Sequence, residues 1–163
     1  GIAEGKGLAA ALCLGAQAVS MGTRFVASEE AFIPRAYKER IIASTSADTI
    51  YSELFDLDWP NAPHRVIRNE VVREWEVAGK PSMGQRSGEG TFIGRRTRAG
   101  ETREIPRYAP FMVTPEFDGD LELVPLWAGQ SCSLIKDIKP AAQIVYDVVH
   151  EAEQTIRWLS GLV

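Results

Sequence analysis

Cysteine is scarce in this chain. Only Cys13 and Cys132 are present, one in an apolar stretch and one in a Gly/Ser-rich stretch. That excludes a disulfide framework, gives no metal-ligand spacing, and fits a cytoplasmic, reducing compartment. Long apolar runs are missing too. None approaches the roughly 20 residues needed to span a bilayer, and no signal-peptide pattern is visible. An excess of basic charge is also absent. Lys and Arg number 18 against 22 Asp and Glu, for a net charge of −4. This balance provides no electrostatic footprint for nucleic acid or an anionic membrane. Arg95, Arg96, Arg98, Arg103 and Arg107 do cluster, but Glu101 and Glu104 interrupt them, so a solvated loop is expected there. No internal repeat or coiled-coil heptad is evident. The chain also lacks an initiator Met and opens on Gly1 inside a glycine-bearing motif. The expectation is therefore the C-terminal part of a larger enzyme, with the N-terminal part of the same polypeptide as its partner.

What is present is ordinary globular composition: 163 residues, 45% hydrophobic and 25% charged. Residues 7–15 read as a short helix that ends at Gly15. Ala18–Met21 reads as a brief buried strand between Gly15 and Gly22. From Thr23 to Ser44 the pattern is helical, with Pro34 starting a second segment from Arg35 to Ile42. Thr49–Phe55 alternates weakly, as an extended excursion does. Val66–Ala78 reads as an amphipathic helix, with Ile67, Val71, Trp75 and Ala78 at helical spacing. Gly79–Gly119, rich in Gly, Pro and Arg, reads as a long loop or insertion near the mouth of a site. Leu121–Ile135 looks partly helical, broken by Pro125 and by Ala128–Ser131. Pro140 starts the strongest helix, with Val145, Val148, Val149, Ala152, Ile156 and Leu159 as its apolar stripe. A lone strand cannot make a sheet, so Ala18–Met21 is expected to pair with strands outside this chain.

Two glycine-bearing turns carry the chemistry. Gly1–Gly7 and Ala18–Arg24 lie one helix apart, and each can bring main-chain N–H groups close to an anion. Gly5-Lys6-Gly7-Leu8-Ala9-Ala10 formally fits a dinucleotide fingerprint. That fingerprint needs a strand before it and an acid at the end of the next strand; here Glu29 and Glu30 lie beyond, in a helical segment. The better account is an α/β barrel, in which a phosphate sits between the loops after strands seven and eight. Tight packing at the barrel ends is the alternative use of these glycines.

The residues then become specific. Gly1-Ile2-Ala3-Glu4-Gly5-Lys6-Gly7-Leu8-Ala9-Ala10-Ala11-Leu12 and Met21-Gly22-Thr23-Arg24-Phe25 resemble the phosphate-binding segment of nitronate monooxygenases, formerly 2-nitropropane dioxygenases. His64–Asn69, Trp127-Ala128-Gly129-Gln130-Ser131 and Ile135–Ala142 follow in that family's order. The resemblance implies an α/β fold: the C-terminal part of an FMN-binding TIM (β/α)8 barrel with a mainly helical inserted or appended region. It divides the chain into a barrel end over 1–45, a covering region over 46–135 and a packing helix over 136–163. It implies FMN as cofactor, with phosphate contacts at Gly1, Ser20, Met21, Gly22 and Thr23. Ser20 replaces a Gln common in the family, which a main-chain contact tolerates and a side-chain amide contact does not. Gly129 and Gln130 are placed near the flavin or pocket, or else form a helix break for packing. The family's catalytic histidine lies upstream of the glycine motif and so outside this chain. His64 is read as a cap or exposed residue at a helix start, and His150 as a surface residue. Glu29, Glu30, Asp56 and Asp58 are read as surface or cap residues. The implied reaction is oxidation of an alkyl nitronate by O2 to a carbonyl compound and nitrite. An FMN-dependent enoyl-acyl-carrier-protein reductase, an NADH:quinone reductase and a non-catalytic binding module are the alternatives. The sequence leaves the oligomeric state open.

Overall fold

The computed structural model describes residues 1–162. Five α-helices, five β-strands and short 3-10 turns make up the described residues, a mixed α/β architecture. The chain divides into two compact units.

The first unit holds Gly1–Ala31, Lys38–Ser46 and the segment from Gly129 onward. Helix α1 (Gly5–Cys13) packs against the long helix α5 (Ala141–Ser160). Gly5 makes this packing possible. A Cβ there would lie 2.5 Å from the Val148 carbonyl oxygen and 2.6 Å from the Ala152 nitrogen. The Gly5 amide also donates to Glu151 Oε2 at 2.6 Å, so a carboxylate from α5 satisfies the open start of α1. Gly5 therefore serves helix packing rather than anion approach. On α5 the buried stripe is Ile144, Val148 and Ala152. Of the expected stripe, Val145, Val149, Ile156 and Leu159 are exposed instead, because the glycine-permitted approach of α1 selects the neighbouring face. Glu30 accepts the Ala141 amide at 2.8 Å and so caps α5.

Ala18–Met21 is not a strand. The segment pairs with no ladder among the described residues, and Ala18 and Ser20 are exposed. Extended backbone becomes a strand only when a neighbour accepts its hydrogen bonds. Helix α2 (Thr23–Val26) follows at once, and Ser28 forms an isolated bridge with Lys139. Helix α3 (Arg35–Ala43) begins just after Pro34, as its sequence implies.

The second unit holds Phe32–Tyr37 and Ala47–Ala128. Strands β1 (Thr49–Ser52) and β2 (His64–Ile67) pair antiparallel, with Ile50 opposite Val66. Leu54, Phe55, Val66, Val71, Val72 and Tyr108 form the core here, with Trp75, Leu123 and Trp127 packed against it. The expected helix over Val66–Ala78 is shorter: Val66 and Ile67 belong to β2, and α4 spans Glu70–Val77. Asn69 sets the boundary. Its Oδ1 accepts the Val72 amide at 3.4 Å, while its Nδ2 donates to the Leu121 and Val124 carbonyls.

The expected loop over Gly79–Gly119 is largely a sheet. Strands β3 (Phe92–Arg98), β4 (Glu101–Pro106) and β5 (Phe117–Gly119) form an antiparallel sheet in the order β4-β3-β5. Ala99 and Gly100, both at positive φ, make the two-residue turn between β3 and β4. The arginine cluster thus lies largely on paired strands. Arg95 meets Asp118 at 3.0 Å, Arg103 meets Glu101 at 3.4 Å, and Arg107, just past β4, meets Glu74 at 2.6 Å. The covering region expected to be mainly helical therefore carries all five strands.

Candidate functional site

The glycine-bearing turns of the first unit converge on one polar nook. The Gly129 amide donates to Thr23 Oγ1 at 2.9 Å. A Cβ built on Gly129 would lie 3.5 Å from Thr23 Oγ1 and 3.7 Å from Ser131 Oγ. A Cβ on Gly1 would lie 3.3 Å from the same Ser131 Oγ. Gly1, Thr23, Gly129 and Ser131 are thus one cluster, although more than a hundred positions separate its ends in sequence.

Local structure explains the assembly. Gly22 is the N-cap of α2, and a Cβ added there would meet nothing within 4 Å, so its main chain faces open space. The first amides of α2 have no intrahelical acceptor and remain available to an external one. Thr23 is nearly buried, and its hydroxyl is held by the Gly129 amide. Arg24 behind it is buried but neutralised: its guanidinium donates to the Asp137 carboxylate at 3.0 Å and to the Asp137 carbonyl at 3.1 Å. The nook therefore offers amides and hydroxyls, with no carboxylate among its four residues.

Of the sequence-nominated residues, the structure brings Gly1, Thr23 and Gly129 together, with Gly22 adjoining Thr23. Met21 is half-buried; Ser20 and Gln130 are exposed. Ser131 is the residue that sequence reasoning passes over. Its side chain is buried beside both Gly1 and Gly129. The available signal was its place at the end of the Trp127–Ser131 run, where a 3-10 turn (Gln130–Leu134) begins.

The histidines differ from each other. His150 is exposed on α5, stacked on Tyr146 with ring centroids 5.6 Å apart. His64 does not start a helix. It opens β2, half-buried, with its ring edge-on to Trp127 at 4.8 Å. Its Nδ1 faces the Ala62 carbonyl at 3.0 Å, and its Nε2 accepts the Phe55 amide at 3.3 Å. Burial depresses its pKa, which a hydrogen bond to Ala62 and the nearby charges of Asp56 and Glu53 partly oppose. Both nitrogens are committed to the backbone, so His64 holds a loop rather than moving protons. Asp56 pairs with the buried Arg86 at 2.6 Å. Among the described residues no group of three His, Cys, Asp or Glu side chains is arranged to hold a metal ion, and no helix is long and apolar enough to cross a membrane.

The α/β framework gathers main-chain amides and hydroxyls from glycine-bearing turns at one place. The chain belongs to the nitronate monooxygenase family, whose pattern it matches over residues 1–151. It is 29% identical, across its whole length, to the (3aS,4S,5R,7aS)-5-hydroxy-7a-methyl-1-oxo-octahydro-1H-indene-4-carboxyl-CoA dehydrogenase of Mycobacterium tuberculosis, covering 51% of that protein. It is 28% identical over 93% of its length to the nitronate monooxygenase of Pseudomonas aeruginosa, covering 37% of that protein. The chain thus spans about half or less of these relatives. Among solved structures, FabK from Thermotoga maritima superposes with a TM-score of 0.73 at 32% identity, over 99% of this chain and 45% of FabK. Nitroalkane oxidase from Streptomyces ansochromogenes shares the fold, with a TM-score of 0.59 at 24% identity, over 94% of this chain and 38% of that one.

Proposed function

We propose that the protein is an FMN-dependent oxidoreductase that oxidises alkyl nitronates with O2 to carbonyl compounds and nitrite. The observation that carries this reading is the nook of Gly1, Thr23, Gly129 and Ser131 in a chain of this family. Its donor set suits a phosphate: neutral amides and hydroxyls without a competing carboxylate, beside an open Gly22 that admits close approach. The main chain of Ser20, Met21, Gly22 and Thr23, with Gly1, would hold the FMN phosphate; Gly129 and Ser131 would fix the Thr23 and Gly1 segments. Arg24, neutralised by Asp137, supports the turn without drawing the anion away from these amides.

When bound, FMN supplies the electron-transfer chemistry, and the protein's part is to bind, orient and tune it. In this reading residues 1–45 close a TIM barrel, 46–135 cover its active-site face, and 136–163 pack on it.

The test uses the full-length protein. Nitronate-dependent O2 uptake with release of nitrite, together with a bound flavin spectrum, is the expected result. A second reading, an FMN-dependent reductase or dehydrogenase of acyl thioesters, draws on the similarity to the carboxyl-CoA dehydrogenase. Turnover of a CoA or acyl-carrier thioester without nitronate-dependent O2 uptake would replace the first reading by the second.

A further inference from the structure

The hairpin of β3 and β4 in the second unit balances its charge on one face and not on the other. Side chains alternate along a strand, and residues paired across two strands share a face. One face carries Arg95 opposite Glu104, with Asp118 of β5 3.0 Å from the Arg95 guanidinium, and Thr97 hydrogen-bonded to Thr102 at 2.9 Å. The other face carries Arg96 opposite Arg103 and Arg98 opposite Glu101. Like charges directly opposite each other are destabilising, so folding gains nothing from Arg103 across from Arg96. Among the described residues no carboxylate pairs with Arg96 or Arg98. Glu101 reaches only Arg103, at 3.4 Å, and with these side chains 76% and 73% exposed, water and salt screen the pair.

The three guanidinium groups of this face converge. Arg96, Arg98 and Arg103, with Ala99 and Glu101, line one open hollow of about 410 Å³. That volume falls within the range of small-molecule sites, about 300–1,000 Å³. Their points of attachment form a triangle with sides of about 5 Å across the strands, about 7 Å along β3 and about 7–8 Å on the diagonal. Three positive charges so close together match a ligand that concentrates negative charge on neighbouring atoms. A diphosphate does this, and each guanidinium presents a planar fork suited to phosphate oxygens. An acidic peptide instead carries single charges on separate flexible side chains. A nucleic acid needs a longer basic stripe, whereas Arg95 and Arg107 beside this face are already paired with Asp118 and Glu74.

We propose that the hairpin face bearing Arg96, Arg98 and Arg103 binds a soluble diphosphate, free or as the ester of a larger organic body. The site lies wholly within the second unit and is independent of the flavin reading. Titration calorimetry on the full-length protein tests it, with inorganic pyrophosphate, orthophosphate and ADP as probes and with excess FMN present to occupy any flavin-phosphate site. Pyrophosphate binds, orthophosphate binds about tenfold more weakly, and added salt weakens both. Arg98→Gln and Arg103→Gln each weaken pyrophosphate binding about tenfold or more. Arg95→Gln removes the same charge from the opposite face and leaves binding unchanged. All three positions are exposed, so the variants keep the parent's urea midpoint. ADP binding tighter than pyrophosphate identifies an ester as the ligand, and ADP binding no tighter identifies the free diphosphate; either supports the site. No binding of pyrophosphate or ADP, or an equal loss in Arg95→Gln, overturns the proposal. So does a single-stranded oligonucleotide or polyglutamate that binds this face more tightly than either diphosphate. A protein that takes up no flavin loses the functional reading above and leaves this test intact, because the arginine variants report on the hairpin alone.

Discussion

At His64 a single ring joins two parts of the backbone, and its protonation state decides whether it does so. As the neutral ring it accepts the Phe55 amide through Nε2. Protonated, it would set one N–H against another. Burial accordingly lowers its pKa below the ordinary 6.5. The unfolded chain then binds the proton more readily, so the stabilisation from His64 is complete above 6.5 and fades as pH falls through the lower folded value. Urea midpoints measured at descending pH should show this loss, and a His64→Gln variant should show a shallower decline. Gly5 makes a steric claim of the same kind. A methyl group at this position meets backbone atoms of α5 at 2.5–2.6 Å, and these cannot swing aside. Gly5→Ala is expected to cost about 1–3 kcal/mol by displacing α1 from α5, read from chemical denaturation and from faster amide exchange in both helices.

Among the elements, α4 depends on one buried side chain. Asn69 caps the helix through its oxygen and supplies both hydrogens of its amide to the 121–124 segment. Asn69→Ala removes a cap worth about 1 kcal/mol. It also strands two carbonyls at about 1–3 kcal/mol each, so a total loss of about 3–7 kcal/mol is expected in urea unfolding. Asn69→Asp keeps the cap acceptor but sets a buried carboxylate against the two carbonyls, and should be at least as destabilising as Asn69→Ala. The same residue explains where sequence periodicity overruns the structure. Ile67, Val71 and Trp75 share helical spacing, yet Ile67 points into the core from β2, and only the cap at Asn69 marks the change. Strands β3 and β4 escape notice for the opposite reason. They are mostly exposed, with Arg, Thr and Glu along them, so no apolar alternation announces them; the Ala99-Gly100 turn was the one local sign. In α5 the helix is legible from end to end, but not which face is buried. That depends on a glycine some 140 positions earlier.

At the scale of the whole molecule, the nook is the feature most nearly legible in advance. Glycine and threonine in two turns already point to exposed amides, and the structure adds what linear order conceals, the approach of Gly129 and Ser131 to Thr23 and Gly1. If these amides grip a phosphate, binding and folding are linked through that grip. A ligand that binds only the folded protein adds about 2.7 kcal/mol at a concentration one hundred times its Kd. For a domain of this size that raises the melting temperature by about 5–10 °C. Riboflavin presents the same ring system without the phosphate, so at equal concentration it should raise the melting temperature by clearly less than FMN. Gly22 locates the difference. Its backbone is at an ordinary φ of −90° with open space where a side chain would go, so Gly22→Val should fold as well as the parent. The valine methyl groups would occupy the path by which the phosphate reaches the amides, and FMN should then stabilise the variant no more than riboflavin does. Differential scanning fluorimetry of parent and variant with each flavin makes the comparison directly. Equal shifts for FMN and riboflavin in the parent protein would mean that the phosphate is held elsewhere.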